Sequence, residues 1–183
     1  AALFITYKVS SITGNTISTN GTTANHGIVL STDSGLANIV RNNITTVGSG
    51  ASNYGIYLFT RARNNNVTEN TVNTSGTTTN YGIYLSTSTS DNVILNNSVF
   101  SGGSTTNNWG IASETINYRN NYTHNRVLSR GTSDNHGIML NSNNYFSVIE
   151  YNNVTTNGTT TTNLGVYVVS NGAGNNITNN INK

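Results

Sequence analysis

The acid/base inventory can be placed residue by residue, with six carboxylates, eight Lys or Arg and three His in 183 residues. Offsets are counted from a glycine that recurs at 27, 55, 82, 110, 137 and 165. On that scale Asp33 and Arg61 share offset 6, Arg41 and Glu69 share offset 14, and Asp91 and Arg119 share offset 9, each pair in adjacent units. Opposite charges one unit apart are expected to be surface pairs that avoid like-charge columns, worth about 0–1 kcal/mol each. Of the remaining carboxylates, Glu114, Asp134 and Glu150, only Glu150 at offset 13 has a nearby partner, His124 at offset 14 one unit earlier. Acid/base chemistry is open to such a pair, but the two-carboxylate geometry of glycoside hydrolysis is missing. His26 and His136 lie four units apart, about 19 Å at strand spacing, too far to share a metal. They read as members of a column with Tyr54, Tyr81, Trp109 and Leu164. No catalytic residue, metal site or cofactor is assigned.

Aromatic chemistry gives the stronger signal. Offset 2 holds Val29, Tyr57, Tyr84, Ala112, Met139 and Tyr167 and is predicted to point outward between two inward aliphatics. Tyr57, Tyr84 and Tyr167 are therefore candidate surface-binding residues, able to stack sugar rings or bury against a partner. Equally open is plain cross-strand stacking over the bare glycines at offset zero. A flat ice-binding hydroxyl array is disfavoured, because the outward position of the third strand reads Ser18, Thr45, Asn73, Phe100, Leu128, Thr155.

The elements that must carry these residues follow from one phrase, Asn-x-Gly-aliphatic-x-aliphatic, starting at Asn25, Asn53, Asn80, Asn108, Asn135 and Asn163. Its glycines are spaced 28, 27, 28, 27 and 28 residues apart, which marks a solenoid repeat. Twelve residues after each Gly stands Ile39, Val67, Ile94, Tyr122, Ile149 or Ile177, and five further Ile44, Val72, Val99, Val127, Val154 or Asn182. Ile12, Asn15 and Ile17 keep the register in the first partial unit. Apolar residues at offsets 1, 3, 12 and 17 do not follow a 3.6 period; they predict three short strands per coil, each pairing with its equivalent above and below. Asn amides both donate and accept, so Asn repeated at about 4.8 Å can hydrogen-bond up a column. Two structural ladders are predicted: Asn15, Asn42, Asn70, Asn97, Asn125, Asn152, Asn180, and Asn25, Asn53, Asn80, Asn108, Asn135, Asn163.

Composition narrows the function classes. Charged residues make up 8% and the net charge is +2, so no basic cluster for nucleic acid and no basic amphipathic helix for a membrane surface is expected. No apolar run approaches the roughly 20 residues of a membrane span. Absence of Cys leaves the redox compartment open. About a fifth of the residues are Asn, a polarity that suggests disorder were the aliphatics not in register.

Phrases such as Gly82-Ile-Tyr-Leu85 and Ile149-Glu-Tyr-Asn-Asn-Val154 resemble the right-handed parallel β-helices of the pectin-lyase-like superfamily, in style the Asn- and Thr-rich repeats of secreted and cell-surface proteins. The resemblance covers essentially the whole chain. It implies an all-β, right-handed, single-stranded parallel β-helix of 27 to 28 residues per coil and between six and seven coils, in one domain over 1–183. With unbroken ladders, no visible cap and no catalytic cluster, the expected role is a non-enzymatic extracellular or cell-surface element, a stalk, sheath or filament, stacking end to end on further coils or on another copy. A carbohydrate-binding or adhesive module is the alternative, and a polysaccharide lyase or hydrolase, implied by the superfamily alone, comes third. Candidate glycosylation sequons stand at Asn20, Asn43, Asn66, Asn73, Asn96, Asn121, Asn153, Asn157 and Asn176, about the number that composition alone gives.

Overall fold

The computed structural model describes residues 1–6, 11–169 and 171–183. Its strands stack into three seven-stranded parallel sheets, and no helix is present among the described residues. The first sheet takes Leu3–Ile5, His26–Leu30, Tyr54–Phe59, Ile83–Ser86, Ile111–Glu114, Ile138–Asn141 and Val166–Val169. The second begins with Ser11–Thr13 and ends with Asn176–Thr178; the third runs from Thr16–Gly21 to Ile181–Asn182. The protein is thus a parallel β-solenoid with three sheets. Beyond the three predicted strands, a narrow fourth line joins Asn117–Tyr118 to Asn144–Tyr145 and continues as single bridges through Ser90 and Arg63 to Gly35.

Register follows the apolar pattern. Ile56 pairs with Ile83, Val67 with Ile94 and Val72 with Val99, so like residues stack and the three inward faces form one core of Ile, Leu and Val. Removing apolar area from water at about 25 cal/mol per Å² drives this arrangement. Coil four departs from the pattern in a compensated way. Tyr122 replaces an Ile and is fully buried, while Ser113 stands where other coils carry Leu. The small residue makes room for the ring, and its hydroxyl is the polar group beside the phenol.

The recurring glycine is required by the approach of the third sheet to the first. A Cβ on Gly82 would fall inside the Val99 side chain and 2.7 Å from the Gly110 carbonyl oxygen. The missing side chain therefore faces the core. It leaves no bare patch beneath the outward aromatics, which corrects the expectation that Tyr rings lie over the glycines. Successive amides of Gly55 and Ile56 donate to the carbonyls of Tyr81 and Gly82, which interrupts the period-2 alternation and lets offsets 0 and 1 both point inward.

Asparagine fixes the corners. Asn42, Asn70, Asn97 and Asn125 are buried, and each Nδ2 donates to the next Oδ1 at 3.0 Å. The column continues outward to Asn15 at one end and through Asn152 to Asn180 at the other. Backbone amides of the same residues donate to the same oxygens. Asn25, Asn53, Asn80, Asn108, Asn135 and Asn163 form a second column at 2.7–3.1 Å. Just before the first column, Arg41, Glu69, Asn96, His124, Tyr151 and Asn179 all have φ of 53–56°. A non-glycine residue there costs about 1–2 kcal/mol, which the ladder bonds offset.

Candidate functional site

The outward face of the first sheet gathers most of the chemistry. His26, Tyr54, Tyr81, Trp109 and His136 lie in one column, with ring centroids 4.7, 5.2, 4.7 and 5.9 Å apart. Beside it Tyr57 stacks on Tyr84 at 4.9 Å with planes 10° apart, and the two columns meet edge to face, as Tyr81 meets Tyr84 at 5.0 Å and 72°. Tyr81, Trp109, Ala112 and Met139 are buried and form a second apolar cluster outside the main core, with Tyr167 packed against it. Two hydrogen bonds pin its margin: Trp109 Nε1 donates to the Asp134 carbonyl at 2.7 Å, and His136 Nδ1 accepts from the Leu164 amide at 3.2 Å.

This geometry decides how the expected tyrosine ladder can act. Tyr57, Tyr84 and Tyr167 point outward but are half-buried, and Tyr57 and Tyr84 each cover one face of the other. A ring stacked along the solenoid axis shows a ligand its edge and its hydroxyl. Buried Ala112 and Met139 separate Tyr84 from Tyr167, so the three do not form a continuous platform.

What lies at the free edge is a polar strip. Ser86 is within hydrogen-bonding reach of the Tyr57 and Tyr84 phenols, the Glu114 carboxylate is within reach of the Tyr84 phenol, and Asn141 Nδ2 donates to Glu114 Oε1 at 3.1 Å. Burial pushes the Tyr57 phenol up to about 12. The Tyr84 phenol is raised further, by burial first and by the Glu114 charge as well. Both rings thus stay protonated at neutral pH, and Tyr84 can donate to the Glu114 carboxylate. Burial also lowers the His26 imidazole to about 4 and depresses that of His136, so both are neutral at pH 7. Asp134 sits at the opposite margin of the face, seven positions from Glu114 along the coil, on the order of 20 Å at strand rise. Asp134 is therefore too far away to pair with Glu114.

The other charged residues fall outside this site. Arg61 binds Asp33 in a fork at 2.7 and 2.8 Å, Arg119 binds Asp91 at 2.6 and 2.9 Å, and Arg41 lies 3.8 Å from Glu69. All are exposed surface pairs. His124 stacks on Tyr151 at 5.2 Å, and what it shares with Glu150 is a backbone bond, His124 N–H to Glu150 C=O, so the acid/base pair read from the sequence does not form. Among the described residues no group of three or more His, Asp or Glu is arranged to hold a metal. The sequons at Asn20, Asn43, Asn66, Asn73, Asn96, Asn153, Asn157 and Asn176 are exposed, whereas Asn121 is half-buried.

Two features escaped sequence reasoning. Glu114 stands at offset 4, two residues beyond the outward tyrosine position, and period-2 alternation alone places it on that face. A third Asn column at offset 10 runs Asn65, Asn92, Asn120, its recurrence hidden by Ala37 and Ser147, which keep only the backbone bonds to Asn65 and Asn175.

No family model matches the chain, and no curated protein matches it in sequence. Among solved structures it is similar to the crystal structure of the periplasmic alginate epimerase AlgG, with a TM-score of 0.62 at 15% identity over 99% of this chain. Two variants of the same enzyme match with TM-scores of 0.62 and 0.60. The chain spans 42% of that protein's length. At this identity the likeness establishes the parallel β-helix fold. It also corrects the expectation of a non-enzymatic structural element: that expectation rested on unbroken ladders, and the same architecture is found in a carbohydrate-modifying enzyme. The expectation also rested on the absence of a chemical cluster, and Glu114, bonded to Asn141 beside Tyr84, was not weighed there.

Proposed function

We propose that this chain is a carbohydrate-acting β-helix segment in which a polysaccharide lies across the first sheet and Glu114 exchanges a proton with the bound sugar. The observation that carries this reading is the setting of Glu114, a carboxylate on an aromatic face, hydrogen-bonded to Asn141 and within reach of the Tyr84 phenol. Tyrosine edges and hydroxyls, the Ser86 hydroxyl and the Asn141 amide match the alternating C–H and O–H surface of a sugar. Glu114 is the proton acceptor. Tyr84 and Asn141 are positioning residues that fix its orientation by donating to it. A lone carboxylate favours proton transfer on the sugar over hydrolysis, which uses a carboxylate pair. The periplasmic alginate epimerase of the same fold supports this class of chemistry, membership of the pectin-lyase-like superfamily and a location outside the cytoplasm. Exposed sequons such as Asn73 and Asn157 are then open to glycosylation.

The test is deuterium uptake. Polysaccharides, alginate first, are incubated with the protein in D2O, and carbon-bound deuterium is read by NMR. Uptake with the parent protein that drops at least a hundredfold in Glu114→Gln is expected. No uptake by the parent, or equal uptake by the variant, overturns the assignment.

A further inference from the structure

A different face of the solenoid carries unbalanced charge. Among the described residues Arg41, Arg61 and Arg119 face carboxylates, whereas Arg126, Arg130 and Lys183 enter no ion pair. All three lie on the outer side of the third sheet. Arg126 and Arg130 flank Leu128 on the strand Arg126–Gly131, aligned with Asn153 and Asn157 of the next coil. Lys183 lies beside Thr155, since its amide donates to the Val154 carbonyl and its carbonyl accepts from the Thr156 amide. Together they line a groove of about 220 Å³ whose lining contains no Asp or Glu. The Arg130 guanidinium lies over the Phe100 ring at 5.8 Å, which holds its plane for paired hydrogen bonds to an oxyanion. The sequence suggested no basic cluster because these residues lie as far as 57 positions apart; two coils of winding bring them together.

We propose that this groove binds the acid groups of an anionic polysaccharide, a carboxylate or a sulfate. Each Arg offers a fork that fits either oxyanion. Between the cations the floor is the amides of Asn153 and Asn157 and the Thr155 hydroxyl, suited to sugar hydroxyls, with Val127 and Leu128 as its apolar part. Phe100 is covered by Arg130 and so offers no open face for a nucleobase, and a net charge of +2 attracts a polyphosphate weakly. This surface lies on a different sheet from Glu114 and stands or falls separately from the reading of that residue.

The experiment is retention of the full chain at low salt on immobilised polygalacturonate, dextran sulfate and neutral dextran, with single-stranded DNA as competitor. Parent protein is expected to be held by an acidic polymer and not by dextran, with retention falling as salt rises. Polygalacturonate retention assigns the carboxylate, and retention on dextran sulfate alone assigns the sulfate. Arg126→Gln with Arg130→Gln should weaken binding at least tenfold, and Lys183→Gln alone should weaken it severalfold with the same melting curve as the parent. Arg41→Gln with Arg63→Gln, which removes equal charge elsewhere, should leave binding within twofold. Equal losses in both double variants, no retention on either acidic polymer, or tighter binding of DNA than of both polymers overturns the proposal.

Discussion

Replacing Asn97 by Leu removes a side chain from the middle of the first ladder. Asn97 is 1% exposed. Its Oδ1 accepts from the Asn70 amide at 2.9 Å and from Asn70 Nδ2 at 3.0 Å, and its Nδ2 donates to the Val67 carbonyl at 2.8 Å and to Asn125 Oδ1 at 3.0 Å. In the variant, Asn70 Nδ2 keeps the Ile39 carbonyl and Asn125 Oδ1 keeps the backbone amide of residue 97. The Asn70 N–H and the Val67 C=O, both in buried residues, lose these partners. At about 1–3 kcal/mol per orphaned buried group, partly offset by about 1 kcal/mol from the added apolar burial, the net loss is about 3 kcal/mol. For a chain of this size that is a fall in melting temperature of roughly 9 °C. Circular dichroism melts at matched concentration read it directly. Asn97→Asp should be worse, because it sets an anionic oxygen against both the Val67 carbonyl and Asn125 Oδ1. A Leu variant that melts within about 1 °C of the parent would refute the ladder as a source of stability.

Other outcomes follow from the same contacts. Gly82→Ala should cost about 3 kcal/mol or more, because the new methyl meets Val99 and the Gly110 carbonyl; adding Val99→Ala should restore only part of it, and full recovery in urea titrations would count against the backbone clash. Ser113→Leu should destabilise by about 1–3 kcal/mol through overpacking against Tyr122, while Tyr122→Phe should stay close to the parent. Stability should also fall with pH. His26 is held near 4 and His136 is lowered in the folded chain against 6.5 when unfolded, so the unfolded state takes up more protons on acidification. The urea midpoint is expected to drop from about pH 6.5 toward about pH 4, and His26→Phe with His136→Phe should flatten that slope; a parent midpoint that is constant through this window contradicts the burial of both imidazoles.

Much of the fold was legible because a solenoid repeats its instructions. Ile39, Val67, Ile94 and Ile149 fall at one offset in successive coils, and a parallel stack leaves each strand only one partner on either side. Asn42 through Asn152 could be read as a ladder for the same reason. Features that depend on contact between different offsets were not legible. That Gly82 faces Val99, and not the outward tyrosines, follows from the approach of two sheets. Tyr57 and Tyr84 were correctly read as outward, but spacing carries no information on ring planes, and their mutual stacking turns a platform into an edge. Glu114 was passed over for want of a charged partner, although an amide at the same offset in the next coil, Asn141, reaches it. A functional reading drawn from the ladders failed because ladders hold the coil together whatever its surface does.

The most direct test of Glu114 as the reacting group is the crystal structure of the protein soaked with an acidic tetrasaccharide and, in parallel, a neutral one. Sugar is expected across the first sheet, against Tyr57, Tyr84 and Asn141, with a ring carbon or hydroxyl about 3 Å from the Glu114 carboxylate. Sugar seated only along the third sheet, with the Glu114 face bare at saturating concentration, would contradict it.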